Sequence, residues 1–337
     1  MKSNFKMQKM EYSRREFIIK NSFLGLGAAL TMGFVPSLIA NTLDQSAVPD
    51  LRNPAEPIID IHQHTDYSGR SNDFLIPHQR AMGVTKTILL PAGRPLSYGS
   101  TYYGYSNGLQ AKASGNEVCY QFAKANSDEF IFGANEVPDM PGAVQEIEKY
   151  LKLGAPVIGE LKFGLDCDSP AMQSIYELAQ SYNVPVLMHW QYNMYNRGFE
   201  RFYTMLKKYP KVSFIGHAQT WWADIDKDHT DPNVLYPKGS VSRGGLTDRL
   251  LTEYPNMYAD FSAGSGLGSL TRDEEHASKF IERHQNKLLF GSDGSDSIGS
   301  GETCLGANII AAIKRISPSK QIVRKILYGN AKTLFKL

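Results

Sequence analysis

Two histidines one residue apart, His62 and His64, close the apolar run "PIIDIHQHTD" at residues 57–66. Side chains of a β-strand alternate between faces, so a strand over Pro57 to Thr65 points both imidazoles one way and Gln63 the other. Two neutral imidazoles side by side can grip one metal ion, although an isolated HxH fits an ordinary surface strand end as well. Other residues able to bind metal or move protons end other apolar runs: Glu160 and Lys162 in "PVIGELKF", His189 in "VPVLMHW", His217 in "KVSFIGHAQ" and Asp293 in "KLLFGSDGS". A single buried histidine is usually satisfied by a backbone carbonyl. Five strand ends carrying such side chains call instead for one shared site.

Something must bring those ends together. With "VTKTILLPA", "FIFGANEVP" and "NMYADFSA", the chain offers eight short strand candidates. Segments of helical periodicity lie between them, among them "AVQEIEKYLKLG", "AMQSIYELAQSYN", "FERFYTMLKKYP" and "DEEHASKFIERHQN", several closed by Gly, Asn or Pro. Strand then helix, repeated, calls for parallel pairing with helical crossovers. The closed solution is an α/β architecture, the (β/α)8 TIM barrel, whose catalytic face is the carboxyl ends of the strands. An open doubly wound sheet is the runner-up, but no GxGxxG follows the first strand to support it.

"DIHQHT", "GELKF", "VLMHW", "FIGHAQ", "LLFGSD" and the closing "ILYGNAKTLFKL", in this order and at these strand positions, resemble the amidohydrolase superfamily. The closest likeness is to its amidohydrolase-2 branch of metal-dependent hydrolases and decarboxylases, over about residues 57–337. The resemblance implies that His62, His64, His189 and Asp293 ligate a divalent metal, and that His217 lies beside the metal-bound water as a second ligand or an acid/base. Glu160 is a further candidate ligand. "GEL" resembles the glutamate-bearing fourth strand of TatD-like deoxyribonucleases, which serve two metals with a comparable set, whereas the amidohydrolase-2 decarboxylases manage with one. A buried ion pair between Glu160 and Lys162 is the expectation for that strand, with one or two ions left open. Imidazole and carboxylate without thiolate suit zinc first and manganese next.

An ion held by three nitrogens and one carboxylate lowers the pKa of a water towards neutrality. Asp293 is then the general acid/base, and His217 steadies the developing oxyanion or the attacking water. The expected reaction is hydrolysis of a lactone, amide or ester of a small molecule. Non-oxidative decarboxylation of a small aromatic or unsaturated acid, and a barrel that binds without catalysis, are the alternatives. Specificity is expected from the Tyr- and Gly-rich loop after strand two and from the loop after strand six, where Trp221 and Trp222 would stack on the substrate. Arg94 would anchor an anion. His78, His229, His276 and His284 lie away from strand ends and read as surface or structural.

Composition narrows the classes of partner. Of 36 basic and 34 acidic residues in 337, the first 50 positions carry six and four, leaving the remainder balanced at 30 each, so no nucleic-acid partner is implied. The three cysteines, Cys119, Cys167 and Cys304, have no CxxC spacing and argue against a disulfide scaffold or a thiolate zinc site. Residues 1–50 read as an address and linker ahead of a barrel domain at 51–337. "SRREFIIK", with Arg14 and Arg15 before the uncharged run Asn21 to Ala40, resembles the twin-arginine export signal. The expectation is a periplasmic or secreted enzyme handed to the twin-arginine machinery after folding, or a membrane-anchored one if the signal is not cleaved. Ala40 and Ala47 leave the cleavage site undetermined. A homo-oligomer is compatible with this composition.

Overall fold

The computed structural model describes residues 56–94 and 113–337. The twin-arginine segment and most of the Tyr-rich loop after strand two lie outside the described residues. Eight parallel strands follow in chain order: β1 (Ile59–Gln63), β2 (Lys86–Leu89), β3 (Phe130–Phe132), β4 (Ile158–Leu161), β5 (Val186–His189), β6 (Phe214–His217), β7 (Met257–Asp260) and β8 (Leu288–Leu289). They pair in sequence as β1-β2-β3 and β4 to β8, and backbone hydrogen bonds join the two runs at both seams. Ala134 N–H donates to Val157 O at 3.0 Å and Gly159 N–H to Ala134 O at 2.9 Å. Across the other seam Ile61 N–H donates to Phe290 O at 3.1 Å and Asp293 N–H to His62 O at 2.8 Å. The ring therefore closes without a free edge, as the strand–helix alternation predicts.

Local sequence explains the crossovers. The helix Pro170–Tyr182 starts on Ser169, whose hydroxyl accepts from Met172 N–H, has Pro at its first turn and stops at Asn183 in the left-handed conformation, φ 51°. Cap, N1 proline and αL stop are the signals that delimit helices in general. One hydrophobic cluster, with Val186, Met188, Phe214, Met257 and Ala259, lies where the strands meet helices. A second contains Ile59, Ile88, Leu187, Ile215 and Leu289 with Phe335 of the closing helix. Leu187 is two residues before His189 and Ile215 two before His217, so alternation puts each one layer below its histidine, inside the barrel. The polar site thus sits on an apolar plug. No helix among the described residues is long and apolar enough to cross a membrane.

Candidate metal site

β1 delivers His62 and His64, both fully buried. His62 Nδ1 lies 2.7 Å from Asp260 Oδ2, and His64 Nδ1 lies 2.7 Å from the carbonyl oxygen of Leu90. Across the barrel, β4 and β6 deliver Glu160 and His217. Asp293 follows β8 with φ at 44°, a left-handed conformation disfavoured for Asp, of the kind found at sites where structure holds a residue against its preference. Arg70 ties β1 to this turn: it donates to Gly294 O at 2.9 Å and to Gln63 Oε1 at 2.8 Å, while Gln63 Nε2 donates to Ser292 Oγ at 3.0 Å.

The inner atoms converge. His62 Nε2 and His64 Nε2 are each 3.6 Å from Glu160 Oε2, and 4.0 and 3.5 Å from Asp293 Oδ1. His217 Nε2 is 3.6 Å from Glu160 Oε1 and 3.7 Å from Asp293 Oδ2. Five of these buried atoms, His62 Nε2, His64 Nε2, His217 Nε2, Glu160 Oε2 and Asp293 Oδ1, have no hydrogen-bond partner. Buried polar atoms are normally paired, so five orphans facing one point need a common partner. Divalent cations suit them: arms of about 2.0–2.2 Å in a tetrahedron imply edges of about 3.3–3.6 Å between ligand atoms, and His62, His64 and Asp293 form one group close enough to share an ion, Glu160, His189 and His217 another.

The field of the site favours a cation. Burial opposes ionisation of Glu160, yet the Lys162 charge and His189 hold it well below the usual carboxylate range. Asp293 is also buried, and the His62 charge keeps it low. Burial and the neighbouring His62 charge push His217 down to about 3, so that its imidazole is neutral. His62 is held well above the ordinary imidazole range: burial pulls it down, but the Asp293 charge, the hydrogen bond to Asp260 and the nearby Glu160 carboxylate prevail.

Several expectations need correction. His189 stays among the candidate ligands, grouped with Glu160 and His217, although its Nδ1 is bonded to Glu160 Oε1 at 2.5 Å and its Nε2 to Gln191 Oε1 at 3.2 Å, so neither is an orphan. Of the two later histidines, His217 is the one that turns a bare nitrogen inward. Among the described residues Glu160 forms no ion pair with Lys162. Its carboxylate faces histidines, while the Lys162 ammonium stands 5.8 Å from the Tyr195 ring centroid. Trp221 and Trp222 are buried core residues. Trp222 stacks on Phe261 at 4.7 Å and 8°, and Trp221 covers Gly216, where a Cβ would meet its ring at 2.4 Å. Arg94 serves the buried carboxylate of Glu136, Nε to Oε2 at 2.7 Å. His78, His276 and His284 are buried, the structural of the two readings given for them. His78 and His284 pair with Asp296 at 3.0 Å and Asp248 at 2.6 Å, and the His229 side chain, 6% exposed, pairs with Asp224 at 2.7 Å.

Sequence reasoning missed three residues at the site. Asp260 ends β7, and Ser262 Oγ lies 2.7 Å from Asp260 Oδ2 and 2.8 Å from His217 Nδ1. Their signal was available, since "YADFS" places a carboxylate at the carboxyl end of strand seven, where the other ligand-type residues fall. Tyr67 is the third. Its ring lies 4.7 Å from that of His64, and burial followed by the Asp293 charge keeps its hydroxyl protonated.

Comparison with known proteins agrees with this architecture. An uncharacterised TIM-barrel protein from Bordetella bronchiseptica aligns over 83% of this chain and 98% of its own, with 16% identity and a TM-score of 0.57. A probable 2-pyrone-4,6-dicarboxylic acid hydrolase from Acinetobacter baumannii, solved with citric acid bound, aligns over 83% and 99%, with 14% identity and a TM-score of 0.52. The 5-carboxyvanillate decarboxylase of Novosphingobium aromaticivorans, solved with manganese and 4-hydroxy-3-methoxy-5-nitrobenzoic acid, aligns over 78% and 79%, with 16% identity and a TM-score of 0.50. At these identities the likeness establishes the (β/α)8 fold. No curated protein matches the sequence. The amidohydrolase family model, however, matches residues 59–337, the whole barrel with its histidines and closing aspartate, and the chain therefore belongs to the amidohydrolase family.

Proposed function

We propose that this chain is a metal-dependent hydrolase that cleaves a carbonyl-type bond, a lactone, amide or ester, of a small molecule. The observation that carries the reading is the convergence of five buried, unpartnered ligand atoms at the mouth of the barrel. His62, His64, Asp293 and Glu160 Oε2 would hold one divalent ion, zinc first and manganese next. His217, with His189 and Glu160 Oε1, forms a second ligand group across the same carboxylate. When bound, such an ion lowers the pKa of a water towards neutrality and polarises the carbonyl under attack.

The chain's own residues do the rest. Asp293, whose carboxyl is held low, accepts the proton of the attacking water and passes it to the leaving group. His217, neutral and with Nε2 turned to the same space, orients the reacting groups. A cavity of about 460 Å³ lies between the loops after β5 and β6, lined by Gln191, Asn193, Asn196 and Thr220 among others. Gln191 also touches His189. A small polar substrate suits that cavity. The reading includes export by the twin-arginine route, which delivers a protein folded and already metal-loaded.

Turnover of the metal-loaded protein on a panel of lactones, N-acyl compounds and aromatic carboxylates tests the reaction class. Hydrolysis is expected, with Asp293→Asn retaining most of the metal while losing about 100-fold or more in rate. Release of CO2 without hydrolysis would replace this reading by decarboxylation. An Asp293→Asn rate within a few-fold of the parent would move proton transfer to another residue.

A further inference from the structure

Every inward-facing histidine nitrogen has an outward-facing counterpart, and for His62 and His217 that counterpart meets the same short segment after β7. Asp260 Oδ2 lies 2.7 Å from both His62 Nδ1 and Ser262 Oγ. Ser262 Oγ lies in turn 2.8 Å from His217 Nδ1 and 3.2 Å from His62 Nδ1. All four residues are buried.

The protons can be placed by counting. An ionised carboxylate only accepts, so the 2.7 Å contact to His62 requires a proton on His62 Nδ1. A hydroxyl has one proton, and an oxygen–oxygen contact of 2.7 Å to a carboxylate without a proton between the atoms is repulsive, so Ser262 donates to Asp260. The serine oxygen is then an acceptor towards His217, and the proton at 2.8 Å belongs to His217 Nδ1. We infer that Asp260 and Ser262 form a positioning pair in which one carboxylate, relayed by one hydroxyl, holds a proton on Nδ1 of two histidines and turns both Nε2 atoms to the metal site. The inference rests on the metal reading above and deepens it. It makes His217 a ligand or a proton acceptor at Nε2 rather than a proton donor.

The surrounding backbone is built for the pair. Asp260 Oδ1 accepts from Ser262 N–H at 3.0 Å, and Trp222 Nε1–H donates to Asp260 O at 3.0 Å, so the carboxylate and its strand end are both held. Gly291, the glycine of "LFGSD", borders the same space. A Cβ there would lie 2.6 Å from both Asp260 Oδ1 and His62 Cβ and 3.0 Å from Ser262 Cβ, which explains why this position carries no side chain.

Ring-nitrogen NMR of uniformly 15N-labelled protein, metal-free and zinc-loaded, tests the pair, with His62→Asn and His217→Asn identifying the two rings. Both Nδ1 atoms should be protonated in the parent, whether or not Nε2 also carries a proton. An unprotonated Nδ1 on either ring would overturn the inference. In Asp260→Asn, an amide NH2 facing His62 should remove the proton from His62 Nδ1. Ser262→Ala should release the His217 signal alone and leave that of His62 in place. Zinc affinity by chelator competition should fall by roughly 10–100-fold in Asp260→Asn and by less in Ser262→Ala, with unchanged circular dichroism. Unchanged spectra or unchanged affinity in a folded Asp260→Asn would refute the pair. If the parent itself bound no zinc, the metal reading would fail, while the spectrum of the metal-free parent would still decide the proton positions.

Discussion

Removing the metal should cost this protein much of its stability, and the structure sets the scale. Five buried ligand atoms have no other partner, and a buried polar group left unsatisfied costs about 1–3 kcal/mol. The metal-free form therefore carries a penalty of about 5–15 kcal/mol, comparable with the whole folding free energy of a typical domain. The lower end is expected, because the Asp293 charge, the Asp260 hydrogen bond and the nearby Glu160 carboxylate favour protonation of His62 when the ion is absent, and that proton lessens the cost for part of the set. Linkage gives the same order: free metal at about 1,000 times its Kd stabilises the folded form by about 4.1 kcal/mol. For a chain of this size 1 kcal/mol moves Tm by about 2 °C. Dialysis against a chelator should thus lower Tm by about 8–10 °C, and zinc or manganese should restore it. Calorimetry on the chelated and repleted protein, with elemental analysis of both, is the assay. A shift below about 2 °C after complete metal loss would show that the five atoms find other partners and that the cage argument is wrong.

Three further outcomes follow from particular contacts. Trp221→Ala should destabilise by about 3–5 kcal/mol in chemical denaturation with little change in KM; a raised KM at unchanged stability would restore the stacking role. Asp248 accepts from His284 at 2.6 Å and from Arg283 at 3.2 Å; burial opposes its ionisation, but these partners bring it down to about 2. Its stabilisation is therefore present above pH 3.8 and lost as pH falls through about 2, so Asp248→Asn should cost about 1–2 kcal/mol at neutral pH, allowing for solvent screening, and the gap from the parent should close between about pH 4 and 2. If export follows the proposed twin-arginine route, replacing Arg14 and Arg15 by Lys should leave folded, metal-loaded enzyme in the cytoplasm, because that route reads the guanidinium pair; an unchanged periplasmic fraction would refute export by this route.

Much of the barrel was legible because its signals are local. Alternating apolar runs of four to nine residues, separated by helical periodicity and closed by Gly, Asn or Pro, report strand and crossover without reference to distant parts of the chain. The same alternation placed His62 and His64 on one face, and strand-end position marked Glu160, His189, His217 and Asp293. What those residues do to one another was not local. Whether His189 or His217 turned a bare nitrogen inward depended on Glu160 and Ser262, residues 29 and 45 positions away. Arg94 was claimed by Glu136, 42 residues on, and the two tryptophans pack against Phe199, Phe261 and Phe280 from other parts of the chain. "DFSA" reads equally well as a helix cap or as a strand end, and only the approach of β7 to β1 across Gly291 made Asp260 the partner of His62. Periodicity is a property of the chain within a few residues. Partnership among buried polar groups is decided by which strand ends the closed barrel brings within hydrogen-bonding distance.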